Sequence, residues 1–217
     1  MSCELPIPCG QDRFTLLEET NREWFHVFCT KKRAGRVDEY TFSEGWGNAR
    51  FSPISQADGS PVGTYYMAST AECAYMESVL HDVPLSPAGQ FDIDELRYYF
   101  LVRLTLQTNL HCVSFHSPYL PKLQLTRTQL IESLPPCYPK TRAWAQAAYL
   151  QMPNAQALSY GSRRNDMGRC LMLFRQRLSN RSLEPDFTVQ EVVNLASDSY
   201  RRDEILHLMS DLTINIV

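Results

Sequence analysis

Glu77 stands out by position. In STAECAYMESVLHD (69–82), helical spacing lines up Cys73, Met76 and Leu80 as an apolar stripe, and Glu77 falls within it. A carboxylate on a core-facing stripe must be paired, protonated or functional, because burying it alone is costly. The plainer alternative is a glutamate at the stripe's edge that reaches solvent or an arginine. Arg50 closes GWGNAR just before an aromatic residue and a loop. A guanidinium there could clamp a phosphate or carboxylate through two parallel hydrogen bonds, or simply flank a turn. Tyr65 and Tyr66 lie in a β-rich run, so one faces each side of the strand. One belongs to the core, and the other is free to stack on a flat ring.

A further cluster, SYGSRRNDMGR (159–169), offers Ser159, Ser162 and a glycine beside Arg163, Arg164 and Arg169. Across 162–181 six arginines (163, 164, 169, 175, 177, 181) face one acid, Asp166. This basic concentration in an acidic chain could attract a small, multiply charged anion, or form a solvated loop. Other chemistries lack their signatures. There is no G-x-G-x-x-G, no phosphate-binding G-x-x-x-x-G-K-[ST] and no G-x-S-x-G. The seven cysteines are scattered without a C-x-x-C, and the five histidines are dispersed without an H-E-x-x-H. Free thiols in a reducing compartment, and no metal site, are the expectation.

The elements that must position these residues follow from pattern. WFHVF (24–28) reads as a first strand after an arm over 1–20, and VGTYYMA (62–68) as a second strand. The segment 69–82 reads as a helix opened by a capping box of Ser69 and Glu72. YFLVRLTLQ (99–107) alternates as a half-buried strand, with Phe100, Val102, Leu104 and Leu106 on one face. TRTQLIESL (126–134) and TRAWAQAAYLQM (141–152) read as helices, ALSY (157–160) and RCLMLF (169–174) as strands. The last is apolar on both faces and so central. EVVNLASDSYRRDEILHLM (191–209) has a helical tendency with a break at 197–199. Irregular interleaving of this kind predicts an α+β fold, a mixed sheet with flanking helices.

The chain has 217 residues, 44% hydrophobic and 21% charged, which fits a single globular domain with an ample core. With 21 basic and 24 acidic residues the formal charge is −3, which disfavours nucleic acid and anionic lipid as partners. No run approaches the ~18 apolar residues of a membrane helix, and MSCELPIPCGQDRFTLLEET lacks an export signal's apolar centre. A cytoplasmic location is expected, with secretion by a route that needs no such signal left open.

Taken together, the clusters resemble the RES domain, a family named for its Arg, Glu and Ser. Arg50-Phe51 opens a loop. Tyr66 then begins YMASTAECAYME, similar to the family's tyrosine–small–alanine–small segment, which ends in Glu77. TRAWAQAAY precedes ALSYGSRR, similar to the family's tyrosine-proline-serine turn, and Leu173-Phe174 ends the block. The resemblance covers about residues 24–178, with an arm over 1–23 and a helical extension over about 186–217. Departures are Phe51 where the family often has Trp, Ser52 for Asn, a longer 50–66 interval, and Gly161 for the proline. His26 stands about where a second arginine is common, and Cys170 where asparagine is common.

The resemblance implies a fold like the ADP-ribosyltransferase toxins and chemistry on NAD, consumed as substrate and not recycled as a cofactor. Glu77 and Arg50 would be the catalytic pair, with Glu77 on a ribose hydroxyl and Arg50 on the pyrophosphate or on a phosphate co-substrate. Tyr66 would stack on nicotinamide, Tyr65 is its strand neighbour in the substrate-binding set, and Ser162 (or Ser159) would bind the nicotinamide–ribose end. Breaking the nicotinamide–ribose bond by hydrolysis or phosphorolysis would deplete cellular NAD. Transfer of ADP-ribose to a protein, or an inactive interaction module, are the alternatives. The implied partner is a cognate antitoxin or an immunity protein, and a homodimer stays open.

Overall fold

In a computed structural model, residues 3–31 and 37–217 are described. Fifteen regular elements follow in chain order: strands β1 (Leu16–Glu19), β2 (Glu23–Cys29), β3 (Ser43–Glu44) and β4 (Gly63–Ala68), then helix α1 (Ala71–Glu77). Strands β5 (Gln90–Phe91), β6 (Tyr99–Leu106) and β7 (Leu110–Ser114) lead to helices α2 (Arg127–Leu130) and α3 (Tyr138–Gln151). Strands β8 (Ala157–Gly161), β9 (Arg169–Phe174) and β10 (Phe187–Asn194), helix α4 (Ser199–Asp211) and strand β11 (Asn215–Ile216) complete the chain.

Nine strands form one mixed sheet in the order β1-β7-β8-β9-β4-β2-β6-β10, with β3 alongside β4. Among the described residues only β7 and β8 run parallel within it. The expected α+β architecture is therefore present. Strand β9, predicted central from its unbroken apolar run, lies between β8 and β4 with every residue from Cys170 to Phe174 buried. Its alternation divides the core. Met172 and Phe174 join one apolar cluster with Phe51, Leu80 and Trp144, and Leu171 and Leu173 join another with Trp24, Tyr65 and Phe187. No helix among the described residues is long and apolar enough to cross a membrane.

Several expectations are corrected. The stretch read as an arm supplies β1, which pairs with β7, so WFHVF forms the second strand. Helix α1 stops at Glu77 instead of running to 82, and its cap is Thr70, which accepts from the Cys73 N–H at 3.1 Å. Ser69 Oγ instead accepts from the Arg169 N–H. The helix predicted over 126–134 is a single turn, α2, and α3 begins at Tyr138, ahead of Thr141. Residues 187–194 are the edge strand β10 rather than the opening of a helix, and a bulge between Val189 and Glu191 obscures the alternation. Helix α4 follows the predicted break and buries Ile205 and Met209 on the core. Cys3 and Cys137, expected as free thiols, form a disulfide across 134 residues, a pairing no local spacing could announce.

Candidate functional site

Helix α1 delivers Glu77 at its last residue, where the chain turns away through 78–83. Arg164 holds that turn: Nη1 donates to the His81 carbonyl at 2.9 Å and Nη2 to the Val83 carbonyl at 2.7 Å. Three donors converge on one oxygen of Glu77. Ser162 Oγ donates at 2.5 Å, the Arg163 N–H at 2.9 Å and the Arg164 N–H at 3.4 Å, all to Oε1. Oε2 takes no hydrogen bond from the described residues. The carboxylate is thus fixed by one oxygen and presents the other, which is the arrangement needed to accept from a bound hydroxyl.

Ser162 follows β8 and has no exposed surface. Its Oγ accepts from the N–H groups of Arg164 (3.0 Å) and Asn165 (2.9 Å) while donating to Glu77. The 162–168 loop is closed by Ser162 N–H to the Gly168 carbonyl, and Arg127 of α2 anchors it from outside through the Ser162 carbonyl (2.7 Å) and Asp166 (3.0 Å). Gly168 is required for close approach: a Cβ there would stand 2.3 Å from Cys73 Sγ in α1. Loop and helix can therefore pack near enough for Ser162 to reach Glu77.

On the same side of the sheet lie Arg50, Tyr66 and Tyr160. Arg50 is only 7% exposed, and its buried Nε has no partner among the described residues. Its guanidinium lies over the Tyr138 ring at 5.9 Å. Phe51 next to it is fully buried, against Phe115 and edge-on to Tyr160 at 4.9 Å. Tyr66 donates its hydroxyl to Ser52 Oγ at 2.8 Å, and burial pushes its phenol up from the usual range. Tyr160 is raised by burial as well, and it sits in the fields of both Glu77 and Arg50. Its hydroxyl makes no hydrogen bond with the described residues. His26, at the position where an arginine is common in the family, donates from Nδ1 to the Tyr66 carbonyl at 2.7 Å. Burial holds its pKa down at about 4, so it is neutral and adds no charge.

The structure thus brings Glu77, Ser162, Arg50 and Tyr66 to one side, and leaves two candidates elsewhere. Tyr65 faces the opposite side of β4, fully buried beside His26 and Phe42, with its hydroxyl on the Glu39 carbonyl at 2.8 Å. Ser159 also points the other way. It bonds His116 Nε2 at 2.9 Å in a small cleft of about 170 Å³ with Leu17, Glu19 and Arg169. The arginine concentration over 162–181 is dispersed rather than pooled. Arg169 pairs with Glu19 and Arg175 with Glu44, while Arg164 and Arg177 are turned to backbone carbonyls. A larger hollow of about 450 Å³, lined by Phe42, Glu44, Arg175 and Arg181 among others, lies apart from Glu77.

Tyr160 and Tyr138 were not singled out from sequence as site residues. Tyr160 had a signal: it sits two residues before Ser162 in a strand, and so shares its face.

The chain is similar to known proteins in family and in fold. The model of the family described as the RES domain matches residues 28–191, about three quarters of the chain. A chain of the crystal structure of the M. tuberculosis MbcT-MbcA toxin-antitoxin complex superposes with a TM-score of 0.56 at 14% identity, covering 84% of this chain and 86% of that one. At that identity the likeness is one of fold, and it accords with the mixed sheet and flanking helices expected. No curated protein matches.

Proposed function

Because the chain belongs to the RES-domain family, we propose that it consumes NAD by breaking the nicotinamide–ribose bond, and that it does so as the toxin of a toxin–antitoxin pair. The observation that carries this reading is Glu77, locked through Oε1 by Ser162 and two backbone N–H groups with Oε2 left open. Loss of nicotinamide leaves oxocarbenium character on the ribose, as in glycoside cleavage. A carboxylate oxygen accepting from a ribose hydroxyl stabilises that charge, and does so with little reorganisation when it is already fixed in place. Arg50, buried and without an acidic partner among the described residues, supplies the countercharge for a phosphate. The ring of Tyr66 borders the nicotinamide end, and Ser162 acts on Glu77 rather than on the substrate. Water or phosphate completes the reaction at the ribose carbon, giving ADP-ribose or its 1-phosphate. NAD is a substrate here, and no recycled cofactor takes part.

The solved neighbour of like fold comes from a toxin–antitoxin complex, and a cognate antitoxin that covers the Glu77 side is the partner proposed. The test is incubation of the purified protein with NAD, with and without phosphate, following nicotinamide release and product mass. Release that is lost in Glu77→Gln and Arg50→Ala supports the reading, and phosphate-dependent formation of the 1-phosphate identifies phosphorolysis. No release from folded wild type at enzyme concentrations near those of NAD would sink it.

A further inference from the structure

Helix α3 brings a second guanidinium to the site. Tyr138 and Arg142 are four residues apart and share a helix face, and both meet the turn that ends in Arg50. The Arg50 guanidinium lies over the Tyr138 ring. Arg142 Nη1 donates to Asn48 Oδ1 at 2.6 Å. Between them, Thr141 Oγ1 donates to the Arg50 carbonyl. Residues 138–142 and 48–50 are thus laced together.

Neither arginine joins any ion pair among the described residues, although five other arginines do. Arg50 is also more than nine-tenths buried, with an orphaned Nε. The phenol of Tyr66 lies in the fields of both cations, which oppose the upward push of burial. Both cations act on the same phenol, and neither has an acid beside it among the described residues, so a doubly charged anion reaching both gains from each.

Resting on the reading of this site as one for NAD, we infer that Arg142 works with Arg50 to hold a diphosphate, Arg142 taking the second phosphate group. Arg142 then selects a dinucleotide diphosphate over a single phosphate. The planar fork of each guanidinium suits phosphate oxygens, which a lysine would meet only as a point charge.

Calorimetric titration with inorganic pyrophosphate and with orthophosphate tests this on wild type, Arg142→Gln and Arg142→Lys. Wild type should bind pyrophosphate one to one and at least tenfold more tightly than orthophosphate. Arg142→Gln should lose about tenfold or more for pyrophosphate alone, and Arg142→Lys should recover part of it. With NAD, KM should rise by a similar factor in Arg142→Gln while kcat holds. Equal pyrophosphate binding by wild type and Arg142→Gln overturns the inference, and so does an equal loss for orthophosphate, which would make this a site for free phosphate. The two readings fail separately. Arg142-dependent pyrophosphate binding without any nicotinamide release removes NAD cleavage and keeps the diphosphate site. Release of nicotinamide unaffected by Arg142→Gln does the reverse.

Discussion

Ser162 Oγ donates to Glu77 Oε1 across 2.5 Å from a position with no exposed surface. The serine and glutamate are 85 residues apart, one after a central strand and the other at a helix end. What joins them is the 162–168 loop, pressed onto α1 at Gly168 and Cys73. The hydroxyl of a serine so enclosed is taken up by Glu77 and two backbone N–H groups. It fixes which way the carboxylate faces.

Ser162→Ala therefore acts on turnover and stability together. It releases Glu77 from its shortest hydrogen bond, leaves the Asn165 N–H without its acceptor, and leaves the Arg164 N–H with only its longer bond to Glu77. Leaving buried donors unsatisfied costs about 1–3 kcal/mol. Nicotinamide release should fall in kcat by about ten- to a hundredfold with KM little changed. Thermal melting and steady-state kinetics on one preparation check both parts. A fall in Tm with unchanged kcat would show that Ser162 supports the loop and not the carboxylate.

Gly168→Ala tests the close approach itself. The added methyl would meet Cys73 Sγ at 2.3 Å and Cys73 Cβ at 2.9 Å, and overpacking of this kind costs about 1–3 kcal/mol. Both stability and NAD cleavage should decline, since α1 carries Glu77. Adding Cys73→Ala removes the sulfur but not the Cβ contact, so the pair should recover part of both losses. Chemical denaturation of the four proteins gives the coupling directly. Strict additivity would mean that loop and helix do not press on each other there.

How far this site was legible in the sequence depends on the residue. Glu77, at helical spacing from Cys73, and the three strands β4, β8 and β9 were visible because helical spacing and short β-rich or apolar runs are local. The cap was misplaced by one residue because Ser69 and Thr70 are both hydroxyl residues, and only tertiary contact sends Ser69 to the Arg169 N–H. Strand β10 was hidden by the bulge in its alternation. Pairing is the harder matter. That Arg169 has an acid beside it depends on Glu19 lying next to it in space, 150 residues away in the chain, while Arg50 has none among the described residues. The choice between Tyr65 and Tyr66 depends on which face of β4 the site occupies.

Acid should weaken the fold through His26. Its folded pKa of about 4 lies below the ordinary 6.5, so below pH 6.5 the unfolded chain binds the proton more readily. Stability is then full above about pH 6.5 and is lost as pH falls toward 4. His116, also lowered, mainly by burial, acts in the same direction. In His26→Gln, whose amide can still donate to the Tyr66 carbonyl, the decline in stability between pH 7 and 4.5 should be shallower. Denaturation midpoints at several pH values measure the slope, and identical slopes for the two proteins would rule His26 out as the cause.

Tyr160→Phe separates substrate contact from structure most cleanly. Unlike Tyr66, whose hydroxyl donates to Ser52, Tyr160 makes no hydrogen bond through its hydroxyl with the described residues. Yet it lies in the fields of Glu77 and Arg50. Its ring packs edge-on against Phe51 and would remain in the variant. Removing a hydroxyl that bonds nothing in the folded protein should shift stability by no more than about 0.5 kcal/mol. If the hydroxyl meets NAD between the ribose and the phosphates, kcat/KM for nicotinamide release should fall by about tenfold, the order expected of one lost polar contact. Tyr66→Phe should differ in kind, with some stability lost along with the Ser52 bond. An unchanged kcat/KM in Tyr160→Phe, at unchanged Tm, would place the substrate away from β8 and move the site toward the Arg50–Tyr138 side.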